Sequence, residues 1–286
     1  MRYSWPMVPR TWLSSAGRMA LRWGRVALAG YLLVLLLLLY FENTLLYPAP
    51  RYPTGDWTAA DLAHEDVFFA SADGTKLHGW YFEHPSPRAA ILYAHGNGDC
   101  VAYLGPYLSQ LRDKLRVSIF AFDYRGYGRS EGSPSEPGIV ADGDAAQRWL
   151  AERTGKRPEE IVLMGRSLGG GVAVHLAVQN GARGMILQST YTSLPDAAAR
   201  MYPWAPVRLL MRNRYDSLSK IGSYNGPVLA SHGTADDLVP YELGRRLFDA
   251  APTSRKEFFT IEGGNHNSPE PREYYLALDR WLAELE

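Results

Sequence analysis

Apolar positions along this chain follow two patterns. Val26 through Phe41 (VALAGYLLVLLLLLYF) is uncharged and dominated by leucine. Beyond residue 60, short apolar runs alternate with longer stretches of helical character. The first pattern is that of a membrane segment. At about 1.5 Å per residue it falls short of a hydrocarbon core of about 30 Å, so it is expected to borrow length from Leu21–Trp23 on one side and Leu45–Tyr47 on the other. A cleaved signal peptide and a buried core helix are the alternatives. Against cleavage, Glu42-Asn43-Thr44-Leu45-Leu46-Tyr47-Pro48 offers no small-x-small site. Arg2, Arg10, Arg18, Arg22 and Arg25 all precede the apolar run, and the positive-inside bias assigns that side to the cytoplasm. The expectation is a single-pass membrane protein whose remainder lies on the non-cytoplasmic side.

The second pattern predicts an α/β domain. Residues 1–47 form the basic segment and anchor, 48–60 the linker and 61–286 the globular part. Pro48, Pro50 and Pro53 punctuate the linker because proline lacks the amide donor and restricts the residue before it. Strands are expected at His64–Ala70, Lys76–Glu83 and Ala89–Ala94, the first two separated by the turn signal Ser71-Ala72-Asp73-Gly74. Further strands follow at Val117–Phe122, Ile161–Met164, Met185–Gln188, Val228–Ala230 and Phe258–Ile261. Helices are expected near Asp142–Arg153 and at Gly170–Gln179, Tyr241–Ala250 and Pro271–Leu285. Such alternation means a mostly parallel sheet with helices on both faces, and the short continuous apolar strands fit burial on both sides. One long insertion, at about 191–226, holds Met201, Tyr202 and Trp204 among prolines. It reads either as a small lid, with those three side chains binding substrate, or as an ordinary crossover helix packed on the sheet.

Composition narrows the function classes. Thirty basic residues balance thirty acidic ones, and no Lys/Arg stripe appears after residue 60, so the electrostatic footprint of a nucleic-acid binder is missing. The lone Cys100 rules out an internal disulfide and a cysteine-cage zinc site. No His-Glu-x-x-His or comparable ligand spacing occurs, and neither a metal nor a cofactor is expected.

The chemistry concentrates at Gly165-Arg166-Ser167-Leu168-Gly169, which directly follows the apolar run Ile161–Met164 and directly precedes a helical stretch. This strand-to-helix context makes it a nucleophile elbow: the turn strains the serine backbone and brings strand and helix so close that flanking side chains would clash. A serine hydroxyl is a poor nucleophile at neutral pH and needs a base with an orienting carboxylate. In the chain order of this elbow, Asp236 and His266 are the candidates, each in a loop after a strand, at the sheet edge where open α/β folds bind ligands. Asp237 would point elsewhere, and Asp123 is read as holding the turn Arg125–Gly128. Of the seven histidines, His64, His78, His84 and His175 are read as structural, His95 and His232 as packing or loop-bonding groups. Backbone amides for a developing oxyanion are expected from Leu168 and Asn97. Arg166 reads either as a group that binds an acidic moiety beside the serine or as a solvated side chain, and solvation is the expectation.

His95-Gly96-Asn97-Gly98, Asp123-Tyr124-Arg125-Gly126-Tyr127-Gly128-Arg129-Ser130, Gly165-Arg166-Ser167-Leu168-Gly169-Gly170, His232-Gly233-Thr234-Ala235-Asp236 and Gly264-Asn265-His266 together resemble the α/β-hydrolase superfamily, and more narrowly its membrane-anchored branch of α/β-hydrolase-domain proteins. The similarity runs from about residue 60 to the end. It implies an eight-stranded sheet with only the second strand antiparallel, and Ser167, Asp236 and His266 as nucleophile, acid and base. Esterases, lipases, peptidases and palmitoyl-protein thioesterases share this fold, so the substrate does not transfer with it. The expected function is cleavage of an ester or thioester in a small-molecule or lipid-like acyl substrate or an acylated protein. A serine peptidase and a non-catalytic membrane scaffold are the alternatives. The run Gly169-Gly170-Gly171 departs from the family pattern and puts the packing of the elbow helix in doubt.

Overall fold

The computed structural model describes the fold of residues 15–59 and 62–285. Arg2 and Arg10 therefore lie outside the described residues. Internal contacts divide the chain into one unit ending at Glu42 and another beginning at Asn43.

In the first unit, Ser15–Tyr40 is one continuous helix, α1. Its stretch Gly17–Tyr40 comprises 24 residues, none of them buried, and is long and apolar enough to cross a membrane. At about 1.5 Å per residue it exceeds a core of about 30 Å. The length that the apolar run lacks is thus supplied on the amino-terminal side. A short helix α2 (Glu42–Leu46) follows. Leu45–Tyr47 does not extend the span: Tyr47 is buried in the second unit, where its hydroxyl meets Asn213 Oδ1 at 2.9 Å and the Tyr215 hydroxyl at 3.0 Å.

The second unit opens with β1 (Glu65–Ala70), β2 (Lys76–Phe82) and β3 (Ala89–Ala94). Then come α3 (Val101–Leu115), β4 (Val117–Asp123), α4 (Glu136–Arg153), β5 (Val162–Arg166) and α5 (Leu168–Asn180). The remainder is β6 (Gly184–Gln188), α6 (Leu194–Met201), α7 (Val207–Leu210), α8 (Leu218–Ile221), β7 (Val228–Gly233), α9 (Tyr241–Ala250), β8 (Lys256–Ile261) and α10 (Arg272–Ala283). The strands form one sheet in the order β1-β2-β4-β3-β5-β6-β7-β8. β2 runs antiparallel to β1 and β4, and every other pairing is parallel. This is the α/β-hydrolase arrangement that the resemblance implies.

Alternation along the strands splits the core into two layers. Leu92, Phe120, Phe122 and Leu163 pack with Ala146 and Leu150 of α4 and Val172 and Leu176 of α5. On the opposite face Ile91, Tyr93, Ile119 and Met164 pack with Leu108 and Leu111 of α3 and Leu278 and Trp281 of α10. Full burial of each large apolar side chain stabilises the fold by about 1.5–3 kcal/mol, which explains why β3 reads as an unbroken apolar run.

Three elements differ from the sequence reading. Helix α3 is absent from it, because Gly105 and Pro106 interrupt the pattern and Cys100 supplies no side-chain cap. Its first amide, from Val101, instead donates to Asp123 Oδ1 at 2.9 Å, a cap delivered from the end of β4. Helix α4 begins at Glu136 rather than near Asp142, with Ser135 accepting from the Gly138 amide and Pro137 in the first turn. The insertion forms three short helices, α6, α7 and α8, instead of a single crossover helix.

Candidate active site

Ser167 occupies the turn between β5 and α5 with φ 51° and ψ −114°, a backbone that L-residues rarely adopt. The turn closes because two neighbours lack side chains: a Cβ on Gly165 would collide with the Gly169 carbonyl, and one on Gly169 with the Ala94 carbonyl. The strain is held by hydrogen bonds on both sides. The Ser167 amide donates to the Gln188 carbonyl at 2.8 Å, and the Ser167 carbonyl accepts from the Gly170 amide and the Thr190 hydroxyl, each at 3.0 Å. The doubt raised by the glycine run is resolved: α5 is continuous from Leu168, and Gly170 lies directly against Thr190.

His266, in the loop between β8 and α10, and Asp236, in the turn after β7, converge on this point. His266 Nδ1 lies 2.8 Å from Asp236 Oδ2, and His266 Nε2 lies 3.1 Å from Ser167 Oγ. All three residues are buried. Because the carboxylate can only accept, Nδ1 carries the ring proton, and Nε2 turns its lone pair toward the hydroxyl, which donates. Asp236 Oδ1 accepts from the amides of Leu238 at 3.1 Å and Val239 at 2.8 Å. Burial alone would push the Asp236 carboxyl up, but the donors His232, His266 and the Val239 amide outweigh it and hold the group well below the usual carboxylate range.

The competing carboxylates go elsewhere. Asp237 is exposed. Asp123 is buried on the α3 cap, 3.3 Å from His78 Nδ1. The Arg125 turn is held instead by Asp142, which accepts from the Arg125 amide at 2.8 Å and from its guanidinium at 2.7 Å.

Leu168 is the first residue of α5, so its amide has no acceptor within the helix. Asn97 follows β3 in a loop that passes close over Ser167: a Cβ on Gly96 would stand 3.8 Å from Ser167 Cβ. The Asn97 side chain is clamped, its Nδ2 donating to the Leu46 carbonyl at 2.6 Å and its Oδ1 accepting from the Tyr127 hydroxyl at 2.7 Å. His95 is a loop-holding residue: its Nδ1 donates to the Gly96 carbonyl at 2.8 Å, and its ring stacks on Tyr124 at 4.1 Å.

Two residues have roles that the sequence reading missed. Arg166 is half-buried rather than solvated, and donates to the His266 carbonyl at 2.8 Å and to Asn267 Oδ1 at 3.4 Å, so it fastens the histidine loop. His232 does more than pack, because its Nε2 lies 3.1 Å from Asp236 Oδ2. The available signals were an arginine inside the elbow and a histidine four residues before the acid. Met201, Tyr202 and Trp204 are 50%, 43% and 51% exposed and none belongs to the core. The Tyr202 and Trp204 rings meet edge to face. Among the described residues, no group of three or more His, Cys, Asp or Glu side chains converges to hold a metal ion.

Comparison with known proteins bears on the family and the fold. Residues 85–221 match the family model described as serine aminopeptidase, S33. The chain is 39% identical over 249 residues to an uncharacterised protein of Mycobacterium tuberculosis, covering 85% of this chain and 88% of that one. It is 31% identical over 230 residues to the mouse α/β hydrolase domain-containing protein 17C, covering 77% of this chain and 69% of the relative. Among solved structures, a Pyrococcus furiosus esterase superposes with a TM-score of 0.70 at 21% identity, over 84% of this chain and 98% of that one. With the eight-stranded order, the elbow at Ser167 and these relatives together, the chain belongs to the α/β-hydrolase superfamily.

Proposed function

We propose that the chain is a membrane-tethered serine hydrolase that cleaves an ester or thioester through an acyl-enzyme intermediate. The observation that carries this reading is the continuous relay from Ser167 Oγ to His266 Nε2 at 3.1 Å and from His266 Nδ1 to Asp236 Oδ2 at 2.8 Å. His266 takes the Ser167 proton as Oγ bonds to the acyl carbon, and the carbonyl electron pair moves onto oxygen. The amides of Leu168 and Asn97 receive that oxyanion. Collapse expels the alkoxide or thiolate, which takes the proton from His266. Water, deprotonated by His266, then attacks the acyl-enzyme and returns Ser167 with its proton. Asp236 holds the imidazole in the required tautomer throughout.

The apolar helix Gly17–Tyr40 supports tethering, and the arginines before it support placing the hydrolase unit on the non-cytoplasmic side. Exposed Met201, Tyr202 and Trp204 support a lid that receives an acyl or lipid-like chain, whether on a small molecule or a protein. The test is labelling by a fluorophosphonate probe, with Ser167→Ala as control. Labelling that depends on Ser167 is expected; a folded chain that stays unlabelled returns the protein to a binding role. A second reading, a serine peptidase, draws on the description of the matching family. An acyl-chain-length series of esters and thioesters run beside peptide amides separates the two, and turnover of amides alone would favour the peptidase.

A further inference from the structure

His232 is the penultimate residue of β7 and only 1% exposed. Its Nε2 lies 3.1 Å from Asp236 Oδ2 and 2.8 Å from the Val239 carbonyl oxygen. Both neighbours are acceptors, so Nε2 carries a proton and donates to both. Nδ1 has no hydrogen-bond partner. Gly244 of α9 is packed so closely against Nδ1 that a methyl group there would collide with it. The ring is therefore keyed on one side by backbone shape and on the other by two oxygens.

Asp236 consequently has donors on both oxygens before His266 is counted: the Leu238 and Val239 amides on Oδ1 and His232 on Oδ2. The terminal torsion of an aspartate is broad, and an acceptor held only by the group it must orient could rotate with it. Here the carboxylate plane is set by β7 and its turn, whereas His266 arrives on a separate loop. The same His232 N–H holds the Val239 carbonyl, so one ring fixes both the acid and the turn that carries it.

We propose that His232 is a positioning residue, which locks Asp236 Oδ2 where His266 Nδ1–H must meet it. The inference rests on reading Ser167, His266 and Asp236 as the reacting relay. A glutamine at 232 places its amide nitrogen near the Nε2 position. An asparagine places it near Nδ1, against Gly244, where it cannot reach Asp236.

The experiment compares the full chain in detergent micelles with His232→Gln, His232→Asn and Ser167→Ala, reading the fluorophosphonate labelling rate and kcat and KM on a short-chain ester. His232→Gln is expected to stay within about fivefold of wild type. His232→Asn is expected to lose about 100-fold in kcat with KM little changed, the scale of loss for a misplaced reacting group. Two variants of one side-chain type keep the comparison fair, because a purely structural role would lower both together. Equal loss in both, or wild-type kcat in His232→Asn, overturns the positioning role while Ser167-dependent labelling leaves the relay standing. A wild-type chain that does not label, or a Ser167→Ala chain that labels equally, overturns the relay and this inference with it.

Discussion

The Leu46 carbonyl accepts a hydrogen bond from Asn97 Nδ2 at 2.6 Å, which joins the residues just beyond the apolar helix to the loop over Ser167. Tyr47, next in the chain, is buried and bonded to Asn213 and Tyr215. Residues 46 and 47 are thus part of the hydrolase unit, and removing them would free the Asn97 side chain on one side. The active form of the protein is expected to retain residues 43–47. Amino-terminal sequencing that finds the active chain beginning after Tyr47 would contradict this. Tyr47→Phe should cost about 1 kcal/mol in stability, measured by denaturant unfolding, for the lost hydroxyl bonds, and Tyr47→Ala about 3–5 kcal/mol for the cavity.

Asp236→Asn leaves the turn able to form but presents a donor or a weaker acceptor to His266 Nδ1. Turnover is expected to fall by about four orders of magnitude through loss of the correct tautomer, with KM nearly unchanged. Steady-state ester hydrolysis checks it, and near-normal turnover would hand the role to another carboxylate.

Arg166 reaches the histidine through the backbone. Arg166→Met removes the donors to the His266 carbonyl and Asn267 and is expected to lower kcat by about tenfold, because the loop is then free to carry the imidazole away from Ser167 Oγ. Arg166→Lys keeps one charged donor but loses the fork, and should fall between wild type and Arg166→Met. Kinetics on a short-chain ester, with amide exchange at residues 263–268, measure both effects.

The depressed Asp236 carboxyl links stability to pH. The folded chain gives up this proton more readily than the unfolded chain, whose aspartates titrate near about 4. The stabilisation is therefore fully present above that value and is lost as pH falls toward the lower folded-state value. The stability difference between wild type and Asp236→Asn is expected to be largest near neutrality and to shrink below about pH 4. Thermal unfolding of both proteins across that range measures it; a pH-independent difference would contradict the assignment.

What could be read directly from the chain was whatever depends on short-range chemistry. Glycines at 165 and 169 around Ser167 announce a turn that tolerates no side chains, and the apolar runs after residue 60 announce strands buried on both faces. The order of Ser167, Asp236 and His266 along the chain sufficed to nominate them as partners, because each follows a strand whose end lies on the same edge of the sheet. Helix α3 escaped notice because its cap comes from Asp123, a residue of β4. Nothing local marks His232 or Arg166 as supports of the site: their partners are oxygens on the turn after β7 and on the loop after β8, and the direction of a side chain is fixed only by packing. The post-helix residues Leu46 and Tyr47 read as more of the apolar span, since hydropathy records how greasy a side chain is and not whether lipid or protein covers it. Local backbone chemistry and periodicity therefore determined the fold and named the candidate groups. Tertiary packing decided which neighbours hold those groups in place, because a side chain's direction is fixed only once the elements pack, whether its partner lies 4 residues away, as Asp236 does from His232, or 100, as His266 does from Arg166.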